Sequence, residues 1–464
     1  MKKKSISKKP KEEVLTRELL NIKKDHSEKS HKRRYFVTSA IAGAPVDARF
    51  FWSITTYCEK KKAELVVLPM RGVSKKDCGY DLKVQPFLST EFIFNKNLKA
   101  QDFMLSPQMI NPLTGLNRFG QKDSSLIIAS PKQSMRTVPV SHESPPHIIQ
   151  STGTCTLPRY ASTRQGCLAH QDHCLGGVIV EIEDDRTFYI RQVQADSNKG
   201  FYDLSEYFCE NEVEGRRASA FIAGDLHSGF EDETALSSWL ECIRVTKAKY
   251  IILHDLFDGH SITHHHKNDI QKQVTKELKV NTLEKELQQM VQCLDFWCGS
   301  FPDSHIIIVP SNHNEFLERY LSEVRYSNDR VNHQVAVQLA AWHLQKLNPL
   351  EKYAEIYCKY KNLRWLKREK DYKLHDVHIG AHGDKGSNGS RGSIQQAELS
   401  YGNAVIGHSH SPGILRNIWQ VGTSTKLLLD YNIGSPSSWL HASCLLYKEG
   451  KRQMIISIKG KWKL

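Results

Sequence analysis

The sequence lacks three features that would each fix a cellular setting. No apolar run approaches the roughly 20 residues of a membrane span, so no spanning helix is expected. No apolar core follows the N-terminal lysines, so that end does not read as a secretory signal. No Cys-x-x-Cys pair occurs among the eleven cysteines, which are scattered and odd in number. That usage fits reduced thiols in a cytoplasm, not a disulfide framework.

Acidic residues are also in short supply. The 464-residue chain holds 64 Lys/Arg against 51 Asp/Glu, a net charge of +13. Residues 1–34 alone carry 13 Lys/Arg against 5 Asp/Glu. They are poor in aromatics and read as a basic, largely disordered arm, with room for one helix at 11–24. Such an arm is either a solubilising tail or a polyanion-binding one. With 39% hydrophobic residues, the rest can bury a core of one large or two ordinary domains.

After the arm the pattern is α/β. "RYFVTSAIAG" reads as a strand meeting a glycine turn, "PVDARFFWSITTYCEKKK" as a helix and "AELVVLPM" as a strand. "ASAFIAGDLH", "ETALSSWLECIRVTKAK" and "YIILHDLFDG" repeat this β-α-β plan. Residues 124–134 resemble 304–315, and 176–193 resemble 442–458. A degenerate duplication is expected, with residues 35–212 as one α/β copy and 213–464 as the other. The plainer alternative is that any two β-α-β units look alike. Residues 267–299 and 328–348 read as helices with core-facing stripes.

The second copy carries the chemistry. Five apolar runs end, in order, on Asp225 and His227; Asp255 and Asp258; Asn312 and His313; His382; His408 and His410. Strand ends in an open α/β sheet lie along one edge, where ligands collect. One histidine after a strand is usually structural, but five such ends in succession are not explained by structure alone. Oxygen and imidazole ligands without thiolate suit manganese, iron, zinc or nickel. Two such ions hold both oxygens of a phosphoryl displacement.

The ordered set D-x-H, D-x-x-D, N-H-x-E, H and G-H-x-H resembles the calcineurin-like metallophosphoesterases across residues 218–464. The resemblance implies an αββα sandwich with two divalent metal ions, Mn²⁺ foremost, at one edge. It implies Asp225, His227 and His410 on the first ion, Asp255 bridging, and Asn312, His382 and His408 on the second. It places His313 beside the scissile phosphate and Asp258 as the second acid of the nuclease branch. Two positions depart from the pattern: His254 and Ser311 stand where glycines are usual, which puts the loop geometry in question. His254 reads as a supporting group or a substrate contact.

Three further stretches have two readings each. "HSITHHH" places His260, His264, His265 and His266 on a loop that either contacts phosphate or is plain surface. "GDKGSNGSRGS" places Lys385 and Arg391 on a gating loop whose cations meet a nucleic-acid backbone, or on an ordinary surface loop. "CLAHQDHC", with Cys167, His170, His173 and Cys174, offers a structural zinc, though its spacing fits no common site.

The first copy has "AGAPV" and "SPKQSM" where the second has ligands, so residues 35–212 are expected to keep the scaffold without metal. Lys132 there favours an anion. The whole chain is also similar to the pre-early DNA-transfer family of certain tailed phages, which is implicated in host DNA destruction and genome entry. The expected function is a two-metal deoxyribonuclease in a host cytoplasm. DNA is its expected partner, along with a second copy or another phage protein. The alternatives are a phosphatase or nucleotide phosphodiesterase with a small substrate, and a non-catalytic DNA-binding takeover factor.

Overall fold

The computed structural model describes residues 33–464 apart from 75, 123, 142–144, 265–268 and 431. The expected arm and its helix at 11–24 lie outside the described residues, except that Arg33 and Arg34 open the first strand. Residues 33–194 supply β1 (Arg33–Ile41), β2 (Ala63–Met70), β3 (Glu91–Asn95), β4 (Leu98–Gln101), β5 (Ser125–Ile128), β6 (Ser134–Val138), β7 (His147–Ser151), β8 (Gly176–Ile182) and β9 (Phe188–Gln194). A small ribbon follows: β10 (Phe201–Asp203), β11 (Glu206–Cys209) and β12 (Glu212–Gly215). Residues 220–456 supply β13 (Ala220–Ile222), β14 (Tyr250–Leu253), β15 (His305–Ile308), β16 (Leu363–Trp365), β17 (Lys373–Leu374), β18 (Val377–His378), β19 (Ala404–Ile406), β20 (Gly413–Leu415), β21 (Ile418–Gln420), β22 (Ala442–Leu446) and β23 (Arg452–Ile456).

Each half opens with the β-α-β unit read from the sequence. β1 pairs in parallel with β2, and β13 with β14. The connecting helices α1 (Ala48–Lys61) and α2 (Glu233–Thr246) are both 14 residues long. Both start on an aspartate cap: Asp47 accepts from Phe50 N, and Asp232 from Thr234 N and Ala235 N. Both stop at a lysine, Lys62 or Lys247, in the left-handed region. Phe50, Ile54 and Tyr57 bury one face of α1; Trp239, Cys242 and Ile243 do so for α2.

The strand pairings then repeat. The first half forms β2-β1-β8-β9, and the second forms β16-β15-β14-β13-β22-β23, so β14-β13-β22-β23 matches the smaller sheet pairing for pairing. The halves merge in a ten-stranded sheet, β17-β18-β19-β21-β20-β6-β7-β5-β4-β3. Read outwards from its centre, this sheet has the same sequence of parallel and antiparallel neighbours on each side. The central pair is β20 against β6, antiparallel, with Ile414 opposite Met135. Across the molecule, Gln453 Nε2 donates to Gln192 O at 3.1 Å and Met454 N to Gln192 Oε1 at 2.9 Å, joining β23 to β9.

Burial defines four layers. Val37, Val66, Val178, Ile222, Ile252 and Met454 from the two smaller sheets meet Ile127, Met135, Val405, Ile414 and Trp419 of the ten-stranded sheet in one core. The outer face of β13–β15 is covered by α2, α3 (Leu283–Ser300) and α4 (Asn312–Ser322) through Trp239, Leu287, Leu294 and Leu317. Helix α1 covers β1 on the same outer side. Beyond the ten-stranded sheet, α5 (Ile394–Tyr401) packs Ala397 on Ile406 and Ile418.

One likeness read from the sequence is not matched by the topology. Residues 124–134 belong to β5 and β6 of the ten-stranded sheet, whereas 304–315 belong to β15 in the six-stranded one. The partner of β5 in the repeat is β19. Both stretches are short apolar runs before polar residues, and local pattern does not say which sheet a run joins. No helix among the described residues is long and apolar enough to cross a membrane.

Candidate metal centre

The chain leaves β13 through Gly224 and turns Asp225 and His227 into the interior. The turn is held from behind by the segment after β21. Ser424 N donates to Asp225 O at 2.8 Å, and Thr423 Oγ1 donates to the same carbonyl at 3.0 Å. The loop after β14 presents Asp255, and the loop after β19 presents His408 and His410. Gly407 is required there: a Cβ on it would lie 2.2 Å from Asp225 Oδ1. Four of the presented residues hold left-handed backbone: His227 (φ 47°), Asp255 (49°), His408 (77°) and His410 (58°). Side chains other than glycine adopt that region at a cost of order 1–3 kcal/mol each. The fold therefore holds these side chains in place against local preference.

The side chains converge into three overlapping groups. Asp225, His227, Asp255 and His410 offer ligand atoms that all lie within 4.8 Å of one another, as do Asp225, His254 and His382, and His227, Asp258 and His313. His410 Nε2 is 3.3 Å from Asp225 Oδ2 and 3.1 Å from His227 Nε2. Asp255 Oδ2 stands between His227 Nε2 at 3.4 Å and His382 Nε2 at 3.2 Å. The His408 ring meets that of His382 edge-on at 5.3 Å, and His408 N donates to Asp225 Oδ2 at 2.7 Å. Asn312 opens α4. Ser311 caps that helix in a reciprocal capping box with Asn314, which gives the serine at this glycine position its physical reason.

Supporting contacts fix the ring orientations. His227 Nδ1 donates to Asp258 Oδ1 at 2.8 Å, which turns Nε2 toward the cluster. Asp258 thus stands behind His227. His313 Nδ1 donates to the Asp258 carbonyl at 2.6 Å, so its Nε2 is the atom left for other chemistry. The Trp439 ring packs edge-on to His410 at 4.2 Å.

Burial and charge oppose each other throughout. Burial alone would raise the Asp255 carboxyl, but the imidazoles of His313, His382 and His227 hold it well below the usual range. Burial would depress His227, yet Asp255, Asp258 and Asp225 raise it to about 9. Burial dominates at His254, pushed down to about 4, and also lowers His408 and His410.

The donor set fits divalent cations. Asp225, His227, Asp255 and His382 are all buried. Asp255 Oδ1 and Asn312 Oδ1 are buried without a hydrogen-bond partner, a costly state for protein oxygens that lack a ligand. His254 belongs to this cluster: its Nδ1 is 3.4 Å from His382 Nδ1, and its Nε2 is buried without a hydrogen-bond partner.

Other expected residues are placed differently. Lys385 pairs with Glu315, and Arg391 is exposed and bridged to Lys385 through the backbone. Arg368 pins their loop by a two-point contact with Asp384, at 3.0 and 2.9 Å. His260 lies 3.9 Å from Asp258, while His265 and His266 fall outside the described residues. The "CLAHQDHC" residues do not gather into a ligand group among the described residues. His173 engages Tyr160 and the Thr156 carbonyl instead. Lys132 is buried on Asp172 at 3.0 Å, so it does not stand ready for an anion. Sequence reading missed Thr423 and Trp439, and met Gly407 only as the glycine of G-H-x-H. The first had a visible signal: "GTST" at 422–425 repeats "GTCT" at 153–156.

No protein-family model matches the chain. It is similar to Protein A1 of Escherichia phage T5, with 25% identity over 471 residues covering 93% of this chain and 83% of that protein.

Proposed function

We propose that the protein is a two-metal phosphodiesterase of the calcineurin-like type, acting on DNA in the cytoplasm of a phage-infected host. The observation that carries this reading is the convergence of Asp225, His227, Asp255 and His410 within 4.8 Å, the last three in left-handed backbone, from three strand ends. The layering of helices outside two stacked sheets supports the αββα assignment. The phage setting rests on the likeness to Protein A1. The nuclease reading rests on the "DLFD" motif and the positive charge.

Asp225, His227 and His410 would hold one cation, Asn312, His382 and His408 the other, and Asp255 both. Cations so held supply an activated water and neutralise phosphoryl oxygens. The remaining work belongs to side chains. Asp258 keeps the His227 proton on Nδ1. His313, half-buried with Nδ1 committed to a carbonyl, has Nε2 available to donate to a leaving oxygen when the ring is charged. Residues 213–464 form the catalytic unit in this reading, and residues 35–212 a related unit without ligands.

The test is one assay with three substrates: plasmid DNA, single-stranded DNA and a chromogenic phosphodiester, each with Mn²⁺. Loss of polymer supports a nuclease. Cleavage of the small ester alone supports a small-substrate enzyme. DNA retention with no cleavage of any substrate contradicts the enzymatic reading.

A further inference from the structure

A groove runs along the seam where β6 of the first half pairs with β20 of the second. Its cavity is about 360 Å³. It starts beside the metal centre: Ser411, in its wall, follows His410 directly. Ser411 Oγ shares a hydrogen bond with Ser438 Oγ at 2.7 Å, next to the Trp439 that packs on His410. Gln420 Nε2 donates to Ser411 O at 2.7 Å, so the same residues frame both the groove and the ligand.

The chemistry of the lining is one-sided. Arg136, Arg416, Gln395, Ser411, Gln420 and Ser438 contribute guanidinium, amide and hydroxyl groups, and among the described residues no Asp or Glu lines the cavity. Arg416 is neutralised by Glu398. Arg136 is not: it donates to the Leu113 carbonyl, and no carboxylate among the described residues acts on its guanidinium. Its Nε is buried without a hydrogen-bond partner, and burial lowers the guanidinium's pKa. A half-buried cation with no counter-ion among the described residues is destabilised until an anion reaches it. The residue directly opposite Arg136 on β20 is Gly413, which has no side chain to lay over it.

We infer that this groove binds the sugar-phosphate backbone of the nucleic acid, with Arg136 on a phosphate flanking the scissile one. The inference rests on the proposed DNA substrate. The first half then contributes directly to binding, because its β6 supplies the cation while the second half supplies the metal edge. Guanidinium, amide and hydroxyl donors are the groups that position phosphates without reading sequence.

The test measures DNA affinity against salt for the full chain held with EDTA, so that nothing is cleaved, in wild type, Arg136→Gln, Arg136→Lys and Gln395→Glu. Arg136→Gln should weaken binding roughly 10- to 100-fold, the worth of a charge-assisted contact. It should also flatten the log–log salt slope by about 0.7–0.9. Arg136→Lys should restore most of that slope. Gln395→Glu, at an exposed position, should weaken binding by repulsion even if Arg136→Gln fails to fold. Unchanged affinity and slope in folded Arg136→Gln, or in Gln395→Glu, overturns the inference. A wild type that binds DNA with the expected Arg136 dependence but hydrolyses nothing overturns only the enzymatic reading.

Discussion

The two halves share a plan and differ in how they treat buried charge. In the first, the two cations buried deepest, Arg191 and Lys132, each have a counter-ion. Arg191 reaches Asp203 at 2.7 Å and Glu181 at 2.9 Å, and Lys132 reaches Asp172. In the second, Asp225, Asp255 and Asn312 each leave a buried oxygen without a hydrogen-bond partner, and the neighbours are imidazoles. The strand exits explain the difference. β1 leads into Ala42, Gly43, Ala44, Pro45 and Val46, none with a ligand atom, whereas β13 leads into Asp225 and His227. The second half also inserts α3, β15 and α4 after β14, which brings in Asn312 and His313. Two halves with like strand pairings thus differ in what their strand-end residues bring inside: paired ions in one, and in the other a cluster of carboxylates and imidazoles that could hold a metal ion.

Asp255→Asn should break the comparison most severely. Asp255 stands between His227 and His382, so turnover of any phosphodiester should fall to background. Next, Arg191→Met should unfold the first half's network without touching the metal edge. It strands Asp203 and leaves Glu181 with Arg34 as its one remaining cation, at a cost of about 3–5 kcal/mol in chemical denaturation. His313→Ala should lower the rate roughly 10²–10⁴-fold while metal content stays unchanged, because the role assigned to His313 is proton transfer.

A smaller effect separates the halves by pH. Glu181, in the first, would be raised by burial, but Arg191 and Arg34 pull it down to about 2. Its stabilisation is present above the unfolded carboxyl value and is lost as pH falls toward 2. Glu286, in the second, is raised to about 8 by burial and by Asp258. The folded state then keeps a proton that the unfolded chain has released, so stability falls as pH rises from about 4.5 to 8. Glu286→Gln should therefore stabilise the protein at pH 8 and leave it nearly unchanged at pH 4, read as urea midpoints.

The sequence carried the Asp and His residues that the fold gathers at the second half's edge, and their order, because each follows a recognisable apolar run. It also carried both β-α-β units, whose caps Asp47 and Asp232 are local signals. It did not carry the ten-stranded sheet, since the pairing of Ile414 with Met135 joins residues far apart in the chain. The same limit led to matching 124–134 with 304–315. The left-handed backbone of His227 and His410 was hidden too, because sterics alone favour glycine there. Asp258 was legible as the second acid of its motif, but its contact with His227 Nδ1 was not, because motif order carries no geometry.

The central claim is that the second half's edge, and not the first's, is a two-cation site. Elemental analysis of the full chain, loaded with Mn²⁺ and dialysed, tests it most directly. The account predicts two manganese ions per chain in wild type and in Lys132→Met, and loss of bound manganese in Asp255→Asn. Manganese absent from wild type, or retained in full by Asp255→Asn, would contradict it.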